Sequence, residues 1–397
     1  MNNSYLDTNI KASCCGCKVC ASVCPKRIIS FSLDDEGFWY PKIDEEKCIH
    51  CNKCRKVCPL TKEPLHILKD ENQTYAAYMK SDEVLKNSAS GGMFTAFSDV
   101  ILNKGGTVFG HVYDEGCRVI CAQANNESER NRMRGSKYVQ SDMHNIYENI
   151  KSACTKGKNV LFTGTPCQID AVKHYFNNIL PENLYTVGLI CHGVPSPKIF
   201  SEYVAIEEKK VGKKIKDIVF RDKENGWKMP LVRHCYTDGS NAAKLLNADA
   251  FNNLFQGTDC ILRPSCYECK YAGKQRVDDI SIADFWGIQN KHTDMFNNDK
   301  GVSVILVNNE KGKELFLKAM PALIYKQVAL ADAQERNLPL NEPCKPFVLR
   351  ERVFKEYNKY GAKYILYKYM FRKKFLSSFP IRALRKIYRI VKGVLQK

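Results

Sequence analysis

The sequence predicts a mixed-sheet α/β protein, behind a small cysteine-rich N-terminal domain and ahead of a basic helical tail. Three observations predict it. Nine of the 19 cysteines fall within the first sixty residues. Strand-like and helix-like segments alternate from residue 74 onward. The net charge of +18 is concentrated at the C-terminus. A chain of 397 residues, 44% apolar, exceeds one ordinary core, and its domains are drawn at 1–62, 74–345 and 346–397.

The N-terminal stretches "CCGCKVCASVCP" and "CIHCNKCRKVCP" both contain C-x2-C-x2-C-x3-C-P. The first set is Cys14, Cys17, Cys20 and Cys24; the second is Cys48, Cys51, Cys54 and Cys58. At this spacing three thiolates wrap one cubane, and the fourth, carried off by its proline, reaches the other. Cys58 then completes a first 4Fe-4S cluster and Cys24 a second. Zinc sites use separated pairs rather than triplets closed by Cys-Pro. The C-x3-C-x2-C triplet of radical-SAM enzymes does not occur. Cys15 breaks the spacing and reads as a bystander thiol. Between the sets, "IISFSLDDEGFWYPKI" alternates about Asp-Asp-Glu-Gly as a β-hairpin does. Residues 10–62 thus read as a bacterial-type two-cluster ferredoxin domain, and "TKEPLHILKDENQ" as a linker.

In the large domain "TYAAYMK" and "GTVFGHVYD" read as strands, with "SGGMFTAFSDVILNKGG" between them as a helix ending at Gly105 and Gly106. "NVLFTG" is a buried-type strand turning through "TPC" into the helix "QIDAVKHYF". "LYTVGLI" repeats the strand pattern before the helix "SPKIFSEYVAIEEKK"; "VSVILV" and "NEKGKELFLKAM" add one strand and one helix. Open α/β sheets bind ligands beyond their strand ends. Ser90, Gly91 and Gly92 form a turn there whose free N–H groups suit a phosphate, although a plain helix cap reads the same way. Cys167 in "GTPCQ" and Cys191 in "GLICHGVPSP" follow two such strands, and either alone reads as a packed thiol. With Cys266 and Cys269 of "RPSCYECKYAG" they make four, the number a further cubane needs, Cys260 being a possible substitute. Cys117, Cys121, Cys154, Cys235 and Cys344 sit in patterns of ordinary thiols.

Residues 1–12 lack the apolar core of a secretory signal, and no run has the length of a membrane span. The expectation is a cytosolic protein whose cysteines are ligands rather than disulfides. Residues 352–397 hold fourteen Lys/Arg against one acid, Glu356, leaving about +5 for the remainder. That balance argues against a nucleic-acid groove through the body. In "IRALRKIYRIVKGVLQK" apolar residues recur at helical spacing among basic ones. Such a helix lies on an anionic membrane at the inner face, or docks on the body with a solvated basic side.

The stretches "SASGGMFTAF", "RGSKYVQSD", "GTPCQIDAVK", "CHGVPSPKIF", "FRDKENGW", "RPSCYECKYAG" and "DISIADFWG" follow one another in the order of a known family. The chain resembles the coenzyme F-420 hydrogenase/dehydrogenase beta-subunit family, in its bacterial branch with a ferredoxin-type N-terminus. It departs from the family's Gly-Asp at Ala283-Asp284. The resemblance implies FAD beside a third 4Fe-4S cluster held by Cys167, Cys191, Cys266 and Cys269. It implies flavin contacts from Ser90, Gly91 and Gly92, from Gly135, Ser136, Lys137 and Tyr138, and from Gly164 and Thr165. Members of this branch often accompany surface-polysaccharide synthesis genes.

Clusters pass single electrons and a flavin handles pairs. The expected function is therefore an oxidoreductase joining a one-electron donor or acceptor protein to a small-molecule substrate of unknown identity. The alternative is a non-catalytic electron-transfer subunit feeding a separate enzyme. No general acid or base is assigned. His192 reads as a proton donor or a satisfied loop histidine, Lys137 as a phosphate partner or an exposed lysine, and Asp284 and Trp286 as flavin-site lining or, for the tryptophan, core.

Overall fold

The computed structural model of the protein describes residues 4–63, 73–274 and 276–369. The N-terminal hairpin pairs β1 (Ile29–Leu33) with β2 (Trp39–Ile43), in register from Leu33↔Trp39 to Ile29↔Ile43. Asp34 closes its turn by accepting the N–H groups of Glu36 and Phe38.

The body is built on an eight-stranded mixed sheet. Its strands are β3 (Thr74–Met79), β4 (Thr107–Tyr113), β5 (Val119–Ala124), β6 (Val160–Gly164) and β7 (Leu184–Leu189). β11 (Ile280–Asp284), β12 (Ser303–Val307) and β13 (Leu323–Gln327) complete it, in the order β13-β3-β12-β11-β7-β6-β4-β5. The four central strands, β4, β6, β7 and β11, run parallel. Antiparallel strands flank them on both sides.

Alternate side chains along each strand enter opposite layers. Val108, Leu161 and Val187 pack under α1 (Met93–Leu102) with Phe97 and Ile101. Phe109, Phe162 and Leu184 face the other way, toward α2 (Ile146–Thr155) and α3 (Pro166–Tyr175). Cys17, Val19 and Val57 of the N-terminal domain join that second layer.

The strands and helices read from the hydrophobic pattern occur where expected. The pattern did not reveal a separate antiparallel sheet of β8 (Ile215–Asp222), β9 (Leu231–Tyr236) and β10 (Asn241–Leu245). It packs with α4 (Pro197–Val211) and α5 (Arg350–Tyr369) around Phe200, Tyr203, Phe220 and Phe251.

The described part of the C-terminal region docks on the body. Val353, Phe354, Tyr357, Ile365 and Leu366 are buried in that core. Glu202 accepts from the Tyr357 hydroxyl at 2.8 Å and from the Ala362 amide just past the kink at Gly361. The segment read as a membrane-facing helix lies outside the described residues, as does most of the linker.

The N-terminal domain is fixed to the body by buried polar contacts. Tyr147 donates to the Cys17 carbonyl at 2.7 Å, Ser196 to the Glu36 carbonyl at 2.7 Å, and Lys18 pairs with Asp142 at 2.7 Å. Both guanidinium nitrogens of Arg350 hold the Glu36 carboxylate.

Candidate functional site

The two N-terminal cysteine sets fold as local copies of each other. Short helical turns, Val19–Ser22 and Lys53–Lys56, follow Lys18 and Asn52, which both adopt left-handed backbone with φ 64° and 58°. The amides of Gly16 and His50 point at the sulfurs of Cys14 and Cys48, at 3.4 Å each. Cys17 has Cys20 and Cys58 as electrostatic neighbours, and Cys20 and Cys58 each have Cys14. Cys24, Cys48, Cys51 and Cys54 line one small cavity. Cys58 thus lies with the first set, and Cys24 with the second. Burial first, with the Cys14 thiol adding to it, pushes Cys58 up to about 11. Four thiolates this close need positive charge among them, which is what the core of a cubane provides.

The third set comes from three separate loops. Cys167 lies in the first turn of α3, directly after β6, and Cys191 follows β7. Cys266 lies in the short helix Pro264–Tyr267, with Cys269 just beyond it. Cys266 has Cys191, Cys269 and Cys167 as neighbours, and Cys191 has Cys167 and Cys269, so the four converge. Burial, then Cys167, pushes Cys191 up to about 12. Backbone amides of Gly193, Val194, Tyr271 and Ala272 are aimed at these sulfurs, an arrangement that suits thiolate ligands.

Three other cysteines are placed by the structure. Cys260 is fully buried, and its neighbours are the Thr258 hydroxyl at 2.9 Å and the Leu254 carbonyl; it is no member of the quartet. Cys15 stands outside all three quartets but beside two of them. Its thiol contacts both Cys17 and Cys167, between the first and third sets. Cys344 is a core thiol, as its sequence pattern suggests, and points toward the Cys266 carbonyl.

Beside Cys191 a cavity of about 860 Å³ opens above the ends of β4, β6, β7 and β11. Ser90, Gly92, Gly135, Ser136, Lys137, Tyr138, Gly164 and Thr165 all line it. Gly91 does not. Its amide is held by the Ser303 hydroxyl at 3.0 Å, and a β-carbon there would meet the Ala77 carbonyl at 2.5 Å. Gly92, at φ +85°, caps α1, and its missing side chain would strike Met79 rather than enter the cavity. Lys137 differs from both sequence readings. Its ammonium donates to the carbonyls of Arg132, Arg134 and Gly135, and burial draws it down to about 8. It braces the loop that brings Gly135 to the cavity.

His192 faces the cavity and pairs through Nε2 with Asp259 at 2.6 Å, a partner the sequence did not indicate. Asp284 is fixed by the Arg221 guanidinium at 3.1 Å and by the Trp227 indole N–H at 2.7 Å. Trp286 lines the cavity, stacked on the fully buried Trp227 at 4.8 Å and beneath Arg221. Among the described residues, the buried side-chain nitrogens without a hydrogen-bond partner are both ring nitrogens of His111, Nε of Arg134 and Nε of Arg221. All three residues line this one cavity. Sequence reasoning missed them because alternation marks a strand residue's face, not whether its polar atoms find partners.

Fold and cysteines together define an iron–sulfur α/β protein with an N-terminal dicluster domain. Residues 13–61 match a 4Fe-4S dicluster domain, and a second dicluster model overlaps it at 40–90. Residues 157–332 match the C terminus of the coenzyme F420 hydrogenase/dehydrogenase beta subunit. Residues 157–332 thus carry the C-terminal domain of that beta-subunit family behind a ferredoxin-type region, and five of the seven stretches lie within them. It is 26% identical over 212 residues to the coenzyme F420-dependent sulfite reductase of Methanocaldococcus jannaschii, a match covering 48% of this chain and 32% of the relative. The match therefore spans about a third of that curated relative's length. A solved structure of the F420-reducing [NiFe] hydrogenase complex from Methanosarcina barkeri aligns with a TM-score of 0.46 at 20% identity, over 78% of this chain and 92% of that one. Among the described residues no helix is long and apolar enough to cross a membrane.

Proposed function

We propose that the chain is an iron–sulfur flavoprotein oxidoreductase, with three 4Fe-4S clusters and one FAD. The observation that carries this reading is the convergence of the unpartnered nitrogens of His111, Arg134 and Arg221 on the cavity that ends at Cys191. The two arginine N–H groups lack acceptors, and the neutral His111 ring lacks partners for its one donor and its one acceptor nitrogen, which calls for a polar, acceptor-bearing ligand. A flavin dinucleotide, with its pyrophosphate and its dione edge, has that character. When bound, FAD exchanges electrons as a pair with a substrate and singly with a cluster.

The chain's own residues define the rest. The quartet Cys14, Cys17, Cys20 and Cys58 holds the first cluster; Cys24, Cys48, Cys51 and Cys54 hold the second; Cys167, Cys191, Cys266 and Cys269 hold the third. Arg134 and Arg221 balance the ligand's negative charge. The Asp259–His192 pair keeps a proton-carrying ring at the cavity wall, beside the third quartet. Cys51 is the one exposed cysteine of the described chain, next to Ile49, which is 56% exposed. Lys26, Arg27, Lys53 and Lys56 are exposed near it, which favours an acidic one-electron partner on that side.

Anaerobic purification with iron and flavin analysis tests the proposal. About twelve irons and one FAD per chain are expected, four irons for each cubane. A chain that holds iron but no flavin under these conditions would return it to the class of electron-transfer subunits. Turnover of a small acceptor by the isolated chain separates the two further, with a deazaflavin, reduced ferredoxin and nucleotide-sugar intermediates as the panel.

A further inference from the structure

Arg263 is a cation sealed inside the protein, at 0% exposure. Its side chain reaches into the N-terminal domain. Nε donates to the Cys14 carbonyl at 2.6 Å, Nη1 to the Gln140 side-chain oxygen at 2.9 Å, and Nη2 to the Trp39 carbonyl at 3.1 Å. The guanidinium lies over the Tyr40 ring at 4.3 Å. Its main chain belongs to the third quartet's loop: its carbonyl accepts from the Cys266 amide at 2.9 Å. One residue therefore grips the first cysteine of the first quartet and the Cys266 turn of the third.

All three hydrogen-bond acceptors are neutral, and no carboxylate pairs with Arg263 among the described residues. An arginine does not relieve burial by losing its proton. A buried charge left unpaired is costly, so compensating negative charge must stand close by. Its ionisable neighbours include the thiols of Cys14, Cys15 and Cys266 and the hydroxyls of Tyr40 and Tyr5. A cubane on four thiolates is net negative, and more so once reduced.

We infer that Arg263 is the shared counter-charge of the first and third clusters and favours their reduced states. The inference rests on the reading that both quartets hold clusters.

The test uses full-length protein purified anaerobically, as wild type and as Arg263→Gln, Arg263→Lys and Gln140→Glu, with iron content and spectroscopic redox titration. Arg263→Gln is expected to keep its iron. The midpoint potentials of the first and third clusters should fall by about 59 mV or more, tenfold in the reduced-to-oxidised ratio of a one-electron couple. The second cluster should not move. Arg263→Lys, which keeps the charge, should stay near wild type. Gln140→Glu sets a carboxylate against the guanidinium while leaving it in place, and should shift the first cluster in the same direction. It carries the test if Arg263→Gln does not fold. Unchanged potentials in Arg263→Gln and Gln140→Glu would overturn the inference. So would an Arg263→Lys variant that behaves as Arg263→Gln, since geometry and not charge would then be responsible. A wild type with about eight irons would fail the third-cluster reading instead. The first cluster's shift would then test the arginine by itself.

Discussion

At His111 the cost of a ligand site is visible in one side chain. Burial draws its imidazole down to about 4, with the Lys137 charge a smaller contribution. The folded protein thus resists protonation that the unfolded chain accepts from about pH 6.5 downward. As pH falls through that window the unfolded state binds the extra proton, so stability is lost, by up to about 3 kcal/mol at pH 4. Removing the imidazole should remove the slope. In His111→Leu, denaturant unfolding of the flavin-free protein is expected to be no weaker than wild type at pH 7 and flatter between pH 4 and 6.5. FAD affinity in the same variant should drop about tenfold or more, because a buried polar contact is worth about 1–3 kcal/mol. Undiminished FAD binding would remove His111 from the site. Arg221→Gln is expected to behave differently, since it also strips Asp284 of its cation. Flavin should be lost together with stability, by about 3–5 kcal/mol.

Among the elements, the short helix Pro264–Tyr267 places Cys266 directly and Cys269 just beyond its end. Changing Cys266 and Cys269 to serine is expected to lower the iron from about twelve to about eight. The N-terminal signals should remain and flavin reduction through the clusters should stop, while dithionite still bleaches the flavin directly. Cys260→Ala is the control. It should keep all its iron, since Cys260 touches Thr258 and Leu254 rather than the quartet. Much at this scale was legible in the sequence. The Cys-Pro spacing predicts which cysteines cross between the N-terminal sets, because coordination geometry leaves little choice. Strands β3, β4, β6, β7 and β12 followed from apolar runs of strand length. The sheet β8–β10 was not legible, because "FRDKENGW" and "LVRHCYTDGSNAAKLL" mix charges into a short meander with little alternation. The role of Lys137 was hidden as well. Its partners are backbone carbonyls, which no sequence pattern names.

Over the whole molecule, the first and last described elements hold each other. Glu36, in the hairpin turn, and Arg350, opening α5, form a largely buried bidentate pair. Arg350→Met leaves the Glu36 carboxylate unpaired and is expected to cost about 3–5 kcal/mol. Hydrogen exchange in β1 and β2 should rise, while the iron of the N-terminal domain remains. If exchange there is unchanged, docking depends on the other contacts. Electron delivery from an acidic carrier protein should slow as ionic strength rises, because the cations near Cys51 are exposed and readily screened.

The buried contact between Tyr147 and the Cys17 carbonyl has a consequence for how the protein is made. Synthesis runs from the N-terminus, so both ferredoxin-type cysteine sets leave the ribosome well before Tyr147, Ser196, Arg263 and Arg350 exist to cover them. Until then the N-terminal domain stands open to whatever delivers iron and sulfide. Once the body has folded, Cys17 is sealed against it. The timetable of translation thus leaves the first quartet uncovered until the later-made residues exist to close over it.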